Sequence, residues 1–537
     1  MRPAAALIAL VAAIAACNPN PSPEPSPEPL AADQTLSFAI SQDIGDLDPA
    51  LVSGPSDVDI LRNVFSGLYR YDDSLREVPD IATGAPVVSA DGLTYTFRIR
   101  ANARFANGDR VTSDDFLYSW NRAAAMQGDY ASMFGPIAGY AGVASARAST
   151  LSGLAKLDDT TFTVTLSTPA PYFVKELGLW PFWLVDRNVV ASAGEAQWPT
   201  KPETLVGSGP FRMTARTPGV SMDFAPVAGW YGGRTTGRLT HVHVQVVADS
   251  GSAVAGYEAG AFSLYGYARQ TMNQAAAKRY TGDAKLKADL TLVPLGVTSW
   301  VGFSLRGGPF AGVEAGRAGR HAFSTAIDRA ALVDAVCGAE TACQAATGGL
   351  ISKGLFGYLG DGQDANAKFD AASAKAEYGA WDPTGAKVTG LAVTYDTNPF
   401  NKAVCTNLQQ QWKKNLGVDV GCAELDRKTF FDQRAGCAYP LFRQGWAADF
   451  DDPAAWFPNL FGRAGTGSSG SCYSNPSFDS SVAGGEYAQA GRLLISDVVV
   501  ADLLYGVQAY VIHPYVKGAG GNAMYDDSWT EIRILQH

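Results

Sequence analysis

The densest grouping of chemically capable side chains is the run Arg443-Gln444-Gly445-Trp446-Ala447-Ala448-Asp449-Phe450-Asp451-Asp452-Pro453, which joins an arginine, an indole and three carboxylates. Taken alone, three aspartates before a proline read as a solvated acidic turn, because Asp oxygens bond the backbone of turns and Pro cannot continue a ladder. A calcium loop is excluded: Asp449 and Asp451 fit positions 1 and 3, but Pro453 fills position 5 and Leu460 position 12, where oxygen ligands are needed. Hydrolytic chemistry finds no nucleophile with its base. The chain has no GxSxG elbow, and none of its five histidines, His241, His243, His321, His513 and His537, lies in an HExxH zinc motif. His241 and His243 can share one strand face as two ligands, without a third. Gly465-Thr466-Gly467-Ser468-Ser469-Gly470 has the letters of a dinucleotide motif, yet it follows Phe461 in a glycine-serine loop and leads to Cys472. It lacks the strand and helix that would aim it at a phosphate. No catalytic residue, metal or cofactor is expected.

Cysteine chemistry is better specified. Arg2 precedes an apolar run from Ala4 to Ala16, too short to span a bilayer and suited to a signal-peptide core. Ile14-Ala15-Ala16-Cys17 resembles a bacterial lipobox, which makes 1–16 a signal peptide and Cys17 the lipidated first residue of the mature chain. Residues 18–29, NPNPSPEPSPEP, then form an extended tether, since closely spaced prolines prevent helix and sheet; 17–32 is read as lipidated Cys and tether. The remaining six cysteines are even in number, and an exported chain meets an oxidising compartment. Fifteen pairings are possible. Sequence proximity favours Cys337 with Cys343, Cys405 with Cys422, and Cys437 with Cys472, and the absence of any CxxC pair argues against zinc.

The elements that must position these groups follow from size and periodicity. A chain of 537 residues, 47% hydrophobic, exceeds what one core supports, so two or three lobes are expected. Its net charge of -10, from 52 acidic and 42 basic residues, argues against nucleic acid as a partner. Residues 94–99 and 161–166 alternate apolar and polar side chains as half-buried strands do. Residues 319–336 show helical spacing, and Val404, Leu408 and Trp412 mark a second helix that Gly417 ends. Val418 to Cys422 returns as a strand, so 391–422 is a strand, helix, strand unit of the kind that builds parallel sheets. The class is α/β. No internal repeat and no second long apolar segment occur.

An ordered series of short runs then gives a resemblance. Leu47-Asp48-Pro49, Asn63-Val64-Phe65-Ser66-Gly67-Leu68, Val78-Pro79-Asp80-Ile81-Ala82 and Asp91-Gly92-Leu93-Thr94-Tyr95-Thr96-Phe97 come first. Phe105-Ala106-Asn107-Gly108-Asp109, Val111-Thr112-Ser113-Asp114-Asp115-Phe116, Gly207-Ser208-Gly209-Pro210-Phe211, Pro309-Phe310 and Ala326-Ile327-Asp328-Arg329 follow, and the series closes with Trp412 to Val418 and Arg443 to Pro453. From about Gln34 to His537 the chain resembles the extracytoplasmic peptide-binding family of ABC importers, and most closely its oligopeptide-binding branch. The resemblance implies a two-lobed periplasmic-binding-protein-like clamp of three discontinuous domains with mixed sheets and a hinge. Carried over, the domains are 33–65 with 187–296 and 507–537, then 66–186, then 297–506. It further implies a monomeric, non-enzymatic protein, periplasmic or on the cell surface, that encloses short peptides and delivers them to permease subunits in the membrane holding its lipid. A non-peptide ligand or a receptor-serving role is the alternative, ahead of an exported hydrolase.

The same resemblance assigns site residues. A permissive peptide binder must hold what peptides share, the backbone and charged ends; strand addition along 441–447, including Gly445 and Ala447, serves the backbone. Asp449 matches the aspartate that pairs the ligand's α-ammonium, with Trp446 as an apolar wall. Arg443 and Arg434 match arginines that face peptide carboxylates, where a planar fork suits the ligand; otherwise they are surface groups or pair an acid such as Asp432. Trp300 replaces a tyrosine beside the ligand backbone, or belongs to the core. Arg427 stands where oligopeptide binders have a tryptophan, Asn401 where they have a pocket histidine, and Ser53 where they have a glutamate. Pro55 cannot donate a backbone hydrogen bond to the ligand.

Overall fold

The computed structural model describes residues 28–233, 237–338, 340–462 and 469–537. The signal peptide, Cys17 and most of the glycine-serine loop motif, 465–468, therefore lie outside the described residues. Among the described residues no helix is long and apolar enough to cross a membrane.

Three main sheets carry the architecture. The first runs in the order Thr35–Ile40, His241–Val246, Ser221–Pro226, Phe211–Thr217, parallel at the first pair and antiparallel after it. The second, wholly antiparallel, runs Val87–Val88, Thr94–Arg98, Thr161–Thr165, Leu154–Asp158. Its two central strands are the alternating segments of the sequence: Tyr95 faces Val164 and Phe97 faces Phe162, all four buried. The third sheet has seven strands, in the order Leu264–Tyr265, Val500–Ile512, Leu290–Phe303, Leu441–Ala447, Ala392–Asp396, Gly421–Leu425, with Cys343–Ala345 beside Val500–Ile512. Ala392–Asp396 is parallel to both neighbours and the other pairs are antiparallel, so the molecule is mixed α/β, as expected.

Two of the family-like runs meet face to face, and geometry explains their glycines. A Cβ on Gly207 would lie 2.0 Å from the Val64 carbonyl oxygen, and the Gly209 N–H donates to that same oxygen at 2.8 Å. The helix predicted over 319–336 is two helices, Arg317–Thr325 and Arg329–Val336. Asp328 divides them: its backbone is extended and its carboxylate accepts from the Ala331 N–H, the ordinary job of an N-cap. The strand expected at 418–422 starts later, at Gly421, and ends at Leu425, while Val418 and Val420 are buried in the preceding turn. Helix Pro399–Leu416 stops at Gly417, whose φ of 81° is the left-handed conformation that glycine adopts freely.

All three disulfides join the pairs that proximity favours, with Cα separations of 5.7, 6.0 and 6.1 Å. Long strands Leu290–Phe303 and Val500–Ile512 run antiparallel through the middle of the molecule, and their register shifts between Pro294 and Thr298. The domain boundaries expected at 296/297 and 506/507 fall inside this pair. At the other side of the body, the start of the described chain is clamped to its end. The Gln34 amide donates to the Ile534 carbonyl at 2.7 Å and accepts from the Ile534 N–H at 3.0 Å, and the Gln536 N–H donates to the Pro29 carbonyl at 2.9 Å.

Candidate functional site

Strand Leu441–Ala447 is paired along one edge with Leu290–Phe303, from Phe303 opposite Leu441 to Val297 opposite Ala447. Its other edge meets Ala392–Asp396 only at Phe442, so beyond Arg443 that edge has no strand partner among the described residues. The Ala448 N–H points inward, donating to the Gly296 carbonyl at 2.7 Å. Strand alternation then turns the N–H and C=O of Gly445 and Ala447 outward. Both residues line a cleft of about 840 Å³, with Trp446, Asp449 and Phe450 on the same side and Tyr130, Tyr172 and Glu176 facing them. The Trp446 indole is held in place by its N–H bond to the Ala455 carbonyl, 3.0 Å.

The three aspartates after the strand do different jobs. Asp452 caps the short helix Pro453–Ala455 through the Ala454 N–H at 2.8 Å and pairs with Lys175 at 2.6 Å. Asp451 accepts from the Phe356 N–H at 2.6 Å. These two fit the acidic-turn reading. Asp449 does not: among the described residues its carboxyl has no hydrogen bond or ion pair, and burial pushes it up to about 7. Opposite, Glu176 is buried, and its carboxyl is pushed up to about 8, first by burial and then by the charge of Asp449. The cleft also carries exposed Asp129 and exposed Arg427, whose guanidinium lies 5.0 Å from the Phe431 ring.

The arginines form a separate group. Arg434 is buried, its guanidinium 4.4 Å from the Phe431 ring, and with the Gln444 amide turned to donate to Ser469 the amide oxygen accepts from Arg434 Nη1 at 3.1 Å. Gly470 makes room for it, since a Cβ there would lie 2.5 Å from Arg434 Cγ. Arg443 stacks over Phe400 at 5.4 Å, and its Nη1 comes within 3.4 Å of where a Gly445 Cβ would sit, which brings the guanidinium beside the open strand edge. Burial pushes both guanidiniums down to about 10, against the opposing pull of Asp396. Asp432, the acid offered as an alternative partner, pairs with Lys428 instead.

Other expected site residues are placed differently. Trp300 is fully buried in the core, because its strand is covered on both faces, and it does not line the cleft. Asn401 is also buried; its amide donates to the Asp396 carboxylate at 2.8 Å, so it braces the counter-charge of the arginines and does not form a pocket wall. Pro55 opens helix Pro55–Leu61, where a missing N–H costs nothing, and lines a small side pocket with Ser53, Tyr130 and Asp449. His241 and His243 converge on one oxygen of Asp223, at 3.0 and 2.8 Å; among the described residues no group of three or more His, Cys, Asp or Glu is arranged to hold a metal. Sequence reasoning missed Tyr130, Tyr172 and Glu176. Only Glu176 left a signal, as a carboxylate inside the apolar run from Phe173 to Trp180.

A free strand edge ending at an unpaired carboxyl, inside a wide cleft walled by aromatic rings, has the geometry to pair the backbone of an extended solute and to meet a positive charge at its end. The family model for bacterial extracellular solute-binding proteins, family 5 Middle, matches residues 76–468. The periplasmic murein peptide-binding protein MppA of Escherichia coli is 27% identical over 533 residues, covering 95% of this chain and 94% of the relative. The periplasmic oligopeptide-binding protein OppA of Salmonella typhimurium is 27% identical over 558 residues, covering 98% and 97%. A solved structure of the unliganded open form of the MppA murein tripeptide-binding protein matches with a TM-score of 0.79 at 24% identity, over 96% of this chain and 99% of that one. The chain belongs to the bacterial extracellular solute-binding proteins of family 5.

Proposed function

We propose that this chain is the substrate-capturing component of an ABC importer, that it is held outside the membrane by lipidated Cys17, and that it encloses short peptides before passing them to permease subunits. The observation that carries this reading is Asp449, a half-buried carboxyl with no ion-pair partner among the described residues, two residues beyond Ala447 on the open edge. A peptide lying along that edge would pair its backbone there and bring its α-ammonium to Asp449, and a buried charge is tolerated only when so matched. Relatives named for murein peptide and oligopeptide binding support the same solute class. In this reading 33–65, 187–296 and 507–537 form one domain, 66–186 a second and 297–506 a third, and the cleft closes about the two long central strands. Arg443, beside the open edge, receives a carboxylate from longer or shorter peptides according to their reach.

Native mass spectrometry of the purified protein should find copurified peptides, and calorimetry should show that tripeptides bind while their N-acetylated forms do not. Equal affinity for free and acetylated forms would remove Asp449 from this role. Lipidation is tested separately: labelling with a radioactive fatty acid should be lost in Cys17→Ser.

A further inference from the structure

Glu176 is a buried carboxyl that the peptide site as described leaves unemployed. It ends the short helix Phe173–Glu176, is 7% exposed, and its Oε2 has no hydrogen-bond partner among the described residues, yet it lines the same cleft as Asp449. Its position is enforced. Tyr172 stacks on Phe450 with ring centres 6.1 Å apart, Lys175 pairs with Asp452 at 2.6 Å, and the Tyr71 hydroxyl donates to the Lys175 carbonyl at 2.7 Å. The adjacent cation, Lys175, is thereby engaged elsewhere. Arg427 at the mouth lies over Phe431 and makes no ion pair among the described residues, while Asp129 adds a third carboxyl to the lining. Tyr130 and Tyr172 complete that wall and bring no positive charge.

We infer that Glu176 and Asp449 together select a ligand with two positive charges at its amino end: Asp449 receives the α-ammonium and Glu176 the side-chain cation of a lysine or arginine in first position. This rests on the peptide reading above. Two carboxyls facing one cavity, Glu176 buried and Asp449 half-buried and neither paired with a cation among the described residues, repel each other when ionised, and they relax by holding protons. An entering dication replaces those protons, so a basic first residue should release more protons on binding than a neutral one, and affinity for it should rise with pH from 6 to 8.

The test is calorimetry on the mature protein with Lys-Ala-Ala, norleucine-Ala-Ala and Ala-Ala-Ala, in two buffers of different ionisation heat. We expect Lys-Ala-Ala to bind about tenfold tighter than norleucine-Ala-Ala, which keeps the four-carbon side chain but lacks the ammonium, and to release more protons. In Glu176→Gln the ratio should fall to about one and the extra proton release should vanish. Equal binding of the lysine and norleucine peptides to the unmutated protein would overturn the inference while leaving peptide capture standing, and so would a preference that survives in Glu176→Gln. If none of the three tripeptides binds, the peptide reading itself fails, and this inference with it.

Discussion

Asp449 and Glu176 face the cleft with no cation beside them, whereas Arg434 and Arg443 lie in an enclosure that already holds Asp396 and aromatic rings for their guanidiniums. Both groups are pushed toward neutrality by burial, but the outcomes differ. Carboxyls raised to about 7 and 8 can hold their protons near neutral pH, while guanidiniums lowered only to about 10 stay charged. A permanent charge needs a permanent counter-charge, which is why Asp396 is fixed in place by Asn401. A group that can neutralise itself can wait for one. The acidic end is therefore free to recognise a cation, and the arginine end stays charged with its Arg434 and Arg443 Nε groups still unpartnered among the described residues.

The largest effect that could break this contrast is on affinity. Asp449→Ala should weaken binding of free tripeptides about a hundredfold or more, ~3 kcal/mol, because the ligand's ammonium is then enclosed unpaired; calorimetry reads this directly. Asp396→Ala should act on the other region and on stability, lowering the urea-unfolding free energy by about 2 kcal/mol as the arginines lose their counter-charge. Titration separates the two ends again. With Asp449 at about 7 in the free protein and ionised in the complex, affinity is retained above that pH and lost below it, falling about fivefold between pH 7 and pH 6. The ligand-free protein shows the opposite sign. Ionising the half-buried Asp449 costs stability as pH rises from about 4 to 7, and Asp449→Asn should flatten that slope in thermal melts. Smallest of all, Lys175→Ala removes the ion pair between helix Phe173–Glu176 and the loop after the strand; the partly exposed pair predicts a loss of about 1 kcal/mol or less.

The legible part of the site is its contiguous part. Gly445, Trp446, Ala447 and Asp449 lie within five positions, where the resemblance to the peptide-binding family, and not the local pattern, singles out Asp449 from the acidic turn; all four line the cleft. The cysteine pairs were legible as near neighbours in sequence. Glu176 and Tyr172 face Asp449 from a segment far upstream, and no local period links such distant stretches. Trp300 shows a different limit: in a strand covered on both faces, alternation no longer tells which side chain meets ligand and which meets core. The break at Asp328 was present in the letters as an N-cap aspartate, but the apolar spacing on either side continues through it.

The clamp of Gln34 onto Ile534 has a mechanical meaning. Tension arriving along the chain at Pro29 would meet the Pro29, Ala31 and Gln34 bonds to the carboxy-terminal segment, and then strand Thr35–Ile40 lying parallel to His241–Val246. Pulled along that strand, the ladder is loaded in shear, with its hydrogen bonds sharing the force instead of parting one by one.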